Sequence, residues 1–189
     1  SVTGKRGPVA VARKKAAAGK IVGGPIVVPG GRFNEMYGWD SYFESLGLIV
    51  DHRLDLAQSM VNNFVYQIEH YGKILNANRT YYLTRSQPPF LTSMIRAVYE
   101  ELPKNAESKE WLRLSLAAAI QEYRGVWMGP ERLTKTGLSR YAGWSIGVSP
   151  EVEPGHFDAV FAPFAKKQNL SIKKFAERYK NGKIKEPEL

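Results

Sequence analysis

The chain has 189 residues, 43% hydrophobic and 24% charged, which is enough for one globular domain with a sizeable core. It contains no cysteine, and this excludes disulfides, thiolate metal sites and a cysteine nucleophile. The net charge is +9, yet residues 25–165 hold 13 basic and 15 acidic residues. The positive charge therefore lies at the two ends, and we expect no basic groove for nucleic acid.

Residues 1–24 are mostly small and include six basic residues and no acidic one, so we predict a basic flexible arm. We expect a domain over 25–189. The sequence has no apolar run that approaches a membrane span, and its N-terminus lacks the apolar segment of a signal peptide. These features predict a cytoplasmic protein without membrane contact.

Beyond a Pro-Gly-Gly turn at 29–31, apolar residues recur every three or four positions, which is the period of helices. Asp51 is placed to cap the second helix and Gly72 to end it. No segment alternates regularly enough to predict a strand. The fold class is therefore all-α, built of consecutive antiparallel helices. The predicted helices cover about 38–50, 51–72, 88–102, 107–128, 156–168 and 171–181.

Three loop segments carry the chemistry: a first segment at 29–40, a second at 76–90 and a third at 143–157. Each mixes aromatic rings with charged or amide groups. Rings can cover the C–H faces of a sugar, and guanidinium, amide and carboxylate groups can bind neighbouring hydroxyls in pairs. The three histidines are far apart and the glycine turn lacks nucleotide-loop spacing, so we predict no metal and no cofactor.

Structural alternatives remain open for individual residues of the first segment and the helix that follows it. Rings at Trp39, Tyr42 and Phe43 have helical spacing and can belong to the core. Arg32 and Glu35 can form a loop ion pair.

Other candidates have equally plain interpretations. Asp40 can lie in the first turn of a helix, where the helix dipole favours a negative charge. Residues 85–87 can cap the next helix, and His156 can be a packed loop residue.

Three stretches of the sequence resemble motifs of a known protein family. PGGRFNEMYGWDSYF resembles the signature of trehalases, glycoside hydrolase family 37, whose pattern is Pro-Gly-Gly-Arg-Phe-x-Glu-x-Tyr-x-Trp-Asp-x-Tyr. Every fixed position is present from Pro29 to Tyr42. HYGKILNANRTYYLTRSQPPFL, at 70–91, resembles a second block of that family and is most similar to the neutral, cytosolic trehalases of fungi. GVSPEVEPGHFD, at 147–158, resembles a third.

This resemblance implies a fold and a reaction. The chain would be the N-terminal portion of a trehalase-like catalytic domain, over residues 25–189, and part of an (α/α)6 toroid. The reaction would be hydrolysis of α,α-trehalose to two glucose molecules with inversion, which needs a general acid and a general base. The partners would be trehalose and the remainder of the catalytic domain.

The resemblance also assigns residues. It implies that the first two segments and the third loop contact substrate, with two aromatic residues as possible walls. No catalytic residue is expected in this span, because the family's acid and base come from segments downstream. The predicted substrate-binding residues are Arg32, Trp39, Asp40, Asn76, Arg85, Ser86, Gln87 and Glu151, and the possible walls are Phe33 and Tyr37.

Some family features are missing from this sequence. The Gln-Trp-Asp-x-Pro signature is absent, Ser149 departs from the family pattern in the third loop, and no Asp-rich calcium segment is visible. Two hypotheses follow from the resemblance. The chain is the sugar-recognition part of a trehalase, or it is a catalytically inactive truncated relative that acts as a sugar-binding or regulatory protein. A third hypothesis, a basic protein that binds nucleic acid through residues 1–24 and 166–185, follows from the charged ends, but nothing in the centre of the chain supports it.

Overall fold

The computed structural model describes residues 13–15, 21–143, 153 and 155–186. The chain divides into two compact units, Ser1–Trp144 and Ser145–Leu189. The elements in chain order are β1 (Arg13–Lys15), β2 (Ile21–Gly23), α1 (Gly38–Val50), α2 (Leu54–Tyr71), α3 (Leu91–Glu101), α4 (Ala106–Glu122), α5 (Asp158–Lys167) and α6 (Ile172–Lys180).

Four helices form the body of the first unit. α1 packs against α2 and α3, and α4 packs against α2 and α3. The short connections after α1 and α3 make each pair a helical hairpin. The core lies between the four helices, and α2 supplies its fully buried apolar stripe: Ala57, Met60, Val61, Phe64 and Ile68.

The end of α2 confirms one sequence prediction, and its beginning corrects another. Gly72 adopts a left-handed φ of 74° and its N–H donates to the Ile68 carbonyl, as expected of a helix-ending glycine. The prediction that Asp51 caps α2 is wrong, because Asp51 instead ends α1. The next residue, His52, has a φ of 57°, so the chain turns there and α2 begins only at Leu54.

The fourth helix differs from its predicted extent. It begins after Asn105, whose side chain accepts a hydrogen bond of 2.9 Å from the Ser108 N–H. The α-helix ends at Glu122, and a π-helical turn covers Tyr123–Trp127. The wider turn shifts the register of the chain just before the loop that follows, a device often found near functional sites.

A short antiparallel ribbon, which the sequence did not predict, pairs β1 with β2 through Arg13 and Gly23 at one end. Beyond it, the Pro25 carbonyl accepts hydrogen bonds from Ser59 Oγ (3.0 Å) and Asn63 Nδ2 (3.1 Å). The chain is therefore tied to α2 just before the first segment.

The second unit contains α5 and α6, which pack on each other. Their shared core consists of Phe161, Ala165 and Phe175. The N-terminus of α6 is capped by Ser171, whose hydroxyl accepts from the Lys174 N–H. The two short helices predicted for this part of the sequence are confirmed.

Candidate functional site

Arg32 lies at the tip of a tight turn in the first segment. Gly30 and Phe33 exchange backbone hydrogen bonds of 3.1 and 3.0 Å, and Gly31 has a φ of 60° that glycine adopts without strain. The exposed Arg32 guanidinium lies 5.0 Å from the centre of the Phe33 ring. Phe33 in turn meets Tyr37 edge-on. The turn thus presents a cation and an aromatic ring at the surface.

Trp39 and Asp40 occupy the first turn of α1. Trp39 is 42% exposed, and its ring contacts that of Phe43, which is also exposed. These two rings are therefore not part of the core formed by the described residues. Burial and then the charge of Asp40 raise the pKa of Glu44, one turn further on, to about 7. Asp40 carries its charge where the helix dipole favours it.

The first and second segments are joined backbone to side chain. The Met36 N–H donates to Asn78 Oδ1 (2.9 Å), and the Trp39 N–H donates to Gln87 Oε1 (2.8 Å). Tyr37 also forms an antiparallel bridge with Ala77. We call this contact the segment junction. It brings into contact two loops whose bonded residues lie 42 and 48 positions apart in sequence.

A buried ion pair closes the segment junction. Arg79 donates from both Nε (2.8 Å) and Nη2 (2.6 Å) to Oε1 of Glu35. Their side chains are only 12% and 9% exposed. A buried charged pair of this kind fixes the relative position of its two loops, because removal of either partner leaves an uncompensated charge.

Asn76 and Arg85 are neighbours within the second segment. The Asn76 N–H donates to the Arg85 carbonyl (2.9 Å), and the Arg85 guanidinium lies 4.9 Å from the centre of the Tyr82 ring. The stem of Arg85 also packs against Gly143, where an added Cβ would lie 3.0 Å from Arg85 Cγ. Both residues are half-buried, so their positions are set by the surrounding backbone while part of each side chain meets solvent.

The remaining two candidates of this segment contribute to its internal structure. Ser86 is buried, its hydroxyl accepts from Arg132 Nη2 (2.8 Å) and its carbonyl accepts from the Tyr141 hydroxyl (2.9 Å). Gln87 is half-buried and holds the Trp39 N–H. Residues 85–87 do not cap α3, whose N-cap is Phe90.

Tyr37, predicted as a possible wall, is buried against Leu75, Ala77 and Tyr82. Glu151 lies outside the described residues. His156 is exposed in the second unit and meets the Phe157 ring edge-on.

Sequence reasoning missed several residues that shape this region. Asn78 and Arg79 stood inside the second segment, so their polar character was a usable signal. Glu122, Arg132 and Tyr141 carried none, because only folding brings them against that segment. Burial raises the pKa of Glu122 to about 7, opposed by the Ile74 N–H and the charge of Arg132.

No group of three or more histidine, aspartate or glutamate side chains arranged to hold a metal occurs in the described part of the chain. Within the same residues, no helix combines the length and apolar character needed to cross a membrane.

Sequence comparisons find similar proteins over most of the chain. A family model described as Trehalase matches residues 7–189. The cytosolic neutral trehalase of Beauveria bassiana is 58% identical over 166 residues, which cover 87% of this chain and 22% of that protein. The cytosolic neutral trehalase of Neurospora crassa is 58% identical over 168 residues, covering 88% of this chain and 23% of its own. The chain thus spans less than a quarter of these curated relatives.

A comparison with solved structures also finds a trehalase. Neutral trehalase Nth1 from Saccharomyces cerevisiae matches with a TM-score of 0.84 at 46% identity, over 97% of this chain and 35% of that chain. The predicted fold class, all-α and part of an (α/α)6 toroid, is confirmed by this match.

Proposed function

Because this chain belongs to the trehalase family, we propose that it supplies sugar-recognition loops for the hydrolysis of α,α-trehalose to two glucose molecules. Trehalose is then its small-molecule partner. In keeping with relatives named cytosolic, we propose a cytoplasmic location. We further propose that residues 25–189 form the N-terminal portion of the catalytic domain and that residues 1–24 are a basic arm.

The observation that carries this proposal is the segment junction. The two segments that bear the family's strings are held together by Met36 and Asn78, by Trp39 and Gln87, and by a buried ion pair. The residues proposed to contact sugar therefore stand in two loops that are bonded to each other. Substrate recognition requires such convergence, since groups fixed on separate surfaces cannot act on one small molecule.

The chemistry of these residues suits a neutral sugar. An exposed indole at Trp39 offers a flat apolar face. Arg32, Arg85 and the Asp40 carboxylate offer charge-assisted and paired hydrogen bonds to adjacent hydroxyls. Groups that the fold orients before the sugar arrives lose less entropy on binding.

An inverting hydrolase also needs a general acid, which protonates the bridging oxygen, and a general base, which activates a water on the opposite face. We assign neither role to a residue of this span. By family resemblance they belong to segments that the matched strings do not include. We likewise place Glu151 among the substrate contacts by resemblance alone.

The test is Arg32→Ala and Asp40→Ala in a complete trehalase that carries this chain. We expect kcat/KM for trehalose to fall a hundredfold or more, which corresponds to about 3 kcal/mol of transition-state binding. The melting temperature should barely change, because Arg32 is exposed and Asp40 only half-buried. Arg113→Ala, at an exposed arginine of α4, is the matched control and should leave kcat/KM unaltered.

Unchanged activity per folded molecule, together with a lower melting temperature, would show that these residues are structural. Glucose release separates the two functional hypotheses. Trehalose binding without any glucose from the complete protein would favour the inactive sugar-binding relative.

A further inference from the structure

Two buried ionisable residues near the C-terminal end of α4 form hydrogen bonds at the two ends of the second segment. Glu122 is 4% exposed and Arg132 is 2% exposed. One is the last residue of α4, and the other lies in the loop after the π-helical turn. No motif marks either residue, and both lie outside the substrate-binding set.

Glu122 holds the beginning of the second segment. Its Oε1 accepts a hydrogen bond of 2.9 Å from the Ile74 N–H. Ile74 stands two residues before Asn76, whose N–H donates to the Arg85 carbonyl. The position of α4 is thereby transmitted through a short run of backbone to two predicted sugar contacts.

Arg132 holds the other end. Its Nη2 donates to Ser86 Oγ (2.8 Å), next to Arg85 in the chain. The guanidinium lies 4.5 Å from the centre of the Trp127 ring, and that ring stacks on Tyr141 at 6.3 Å with an interplanar angle of 8°. The Tyr141 hydroxyl completes the arrangement by donating to the Ser86 carbonyl.

The two residues also influence each other electrostatically. Burial lowers the pKa of Arg132, while Tyr141, Glu122 and Glu131 raise it. The charge of Arg132 in turn acts against the burial that raises the pKa of Glu122. Each charge thus offsets part of the cost of burying the other.

We propose that Arg132 and Glu122 are positioning residues that hold Arg85 and Asn76 in the geometry that binds trehalose. This inference rests on the proposed function. Neither residue touches substrate: Arg132 acts through Ser86, and Glu122 acts through Ile74. Small displacements of substrate-positioning groups reduce rates strongly, so a rigid support beneath the second segment is a condition for recognition.

A purely stabilising role would not require charges at these positions. Burying a charged group costs free energy, and an apolar side chain of similar volume fills the same space without that cost. What an apolar side chain cannot supply is a directed hydrogen bond to Ser86 or to the Ile74 N–H. The polar contacts therefore serve the placement of the segment.

The experiment uses a complete trehalase carrying this chain and compares Arg132→Met with wild type. Methionine keeps an apolar stem over Trp127 and removes the donor to Ser86. We expect kcat/KM per folded molecule to fall at least tenfold, and Arg132→Lys, which keeps a charge and a donor, to recover part of that loss. The matched control is Arg113→Met at an exposed arginine, which should leave kcat/KM unchanged.

Tyr141→Phe keeps the proposal testable if Arg132→Met does not fold. This substitution removes the hydroxyl that donates to the Ser86 carbonyl. We expect a severalfold loss of kcat/KM at an almost unchanged melting temperature. Tyr123→Phe, at an exposed tyrosine, is its control.

The outcomes separate the positioning role from the proposed function. Folded Arg132→Met and Tyr141→Phe variants with wild-type kcat/KM would overturn the positioning role alone. Equal losses in Arg132→Met and Arg132→Lys, matched by equal falls in melting temperature, would also overturn it in favour of a structural role. A wild-type protein that neither binds nor hydrolyses trehalose would overturn the proposed function, and this inference with it.

Discussion

The first and second segments use their polar side chains in different ways. In the first, Arg32 and Trp39 are exposed, and the segment offers backbone N–H groups to its neighbour. In the second, Asn78, Ser86 and Gln87 turn their side chains inward or towards the first segment. One segment mainly presents groups to solvent, and the other mainly holds the pair together.

This difference shows that the residues of a family motif do not all contact the ligand. Residues close together in the same string divide between solvent-facing and structural duties, and burial separates them. Substitutions at three positions test that division, and we expect the largest effect at Arg79.

Arg79→Met tests the ion pair that joins the segments. The substitution leaves Glu35 buried without its partner, so we expect the free energy of unfolding to fall by about 3–5 kcal/mol. Arg113→Met removes an arginine from an exposed pair with Glu110 and should cost at most about 1 kcal/mol. Urea denaturation of both variants provides the measurement. Similar small losses would mean that the segments are held together without this pair.

Glu122→Gln tests the support beneath the second segment through pH. The pKa of Glu122 is raised from 4.5 to about 7 by burial, so the folded state keeps a proton that the unfolded state has already lost. The free energy of unfolding should therefore decrease as pH rises from 4.5 to about 7 and then level off. For this one group the decrease is on the order of 3 kcal/mol. Glutamine does not titrate, so the variant should lose the part of the decrease that Glu122 contributes, while Glu44, whose pKa is also raised to about 7, keeps its own part.

Denaturation at pH 5 and at pH 7.5 gives the comparison. The matched control is Glu110→Gln, at an exposed carboxylate of the same helix, which should retain the wild-type decrease. Parallel pH profiles for wild type and Glu122→Gln would contradict the prediction.

Gly38→Ala tests the closeness of the two segments and has the smallest expected effect. An added Cβ would lie 3.2 Å from both Cβ and Oε1 of Gln87, which must then shift and weaken its bond to the Trp39 N–H. We expect a loss of about 1 kcal/mol. Gly47→Ala is the internal control, because it lies in the same helix with no atom within 4 Å and should gain up to about 1 kcal/mol. Equal melting temperatures for the two variants would show that Gln87 yields freely.

Much of the helical framework followed from local signals. The helical spacing of the apolar residues in α2 and the glycine that ends this helix are properties of neighbouring residues, and both were predicted. The Asp51 prediction failed because Asp, a good N-cap, also suits the turn after a helix. The choice between those roles depended on how His52 closes the connection. The π-helical turn after Glu122 had no signal, since it changes the register without changing the pattern of residues.

The features of the candidate site also divide into those that the sequence predicts and those that depend on the tertiary structure. The sequence by itself determined the all-α class, the position of the loops between helices and, through the match to the family strings, the identity of the residues proposed to meet a sugar. Only the tertiary structure decided which of them remain at the surface, and that Glu35 pairs with Arg79 while Ser86 is held by Arg132. The physical reason is the distance along the chain over which each kind of interaction acts. Helix periodicity and turn chemistry act over a few residues, whereas a buried charge is satisfied by whatever partner the folded chain brings to it.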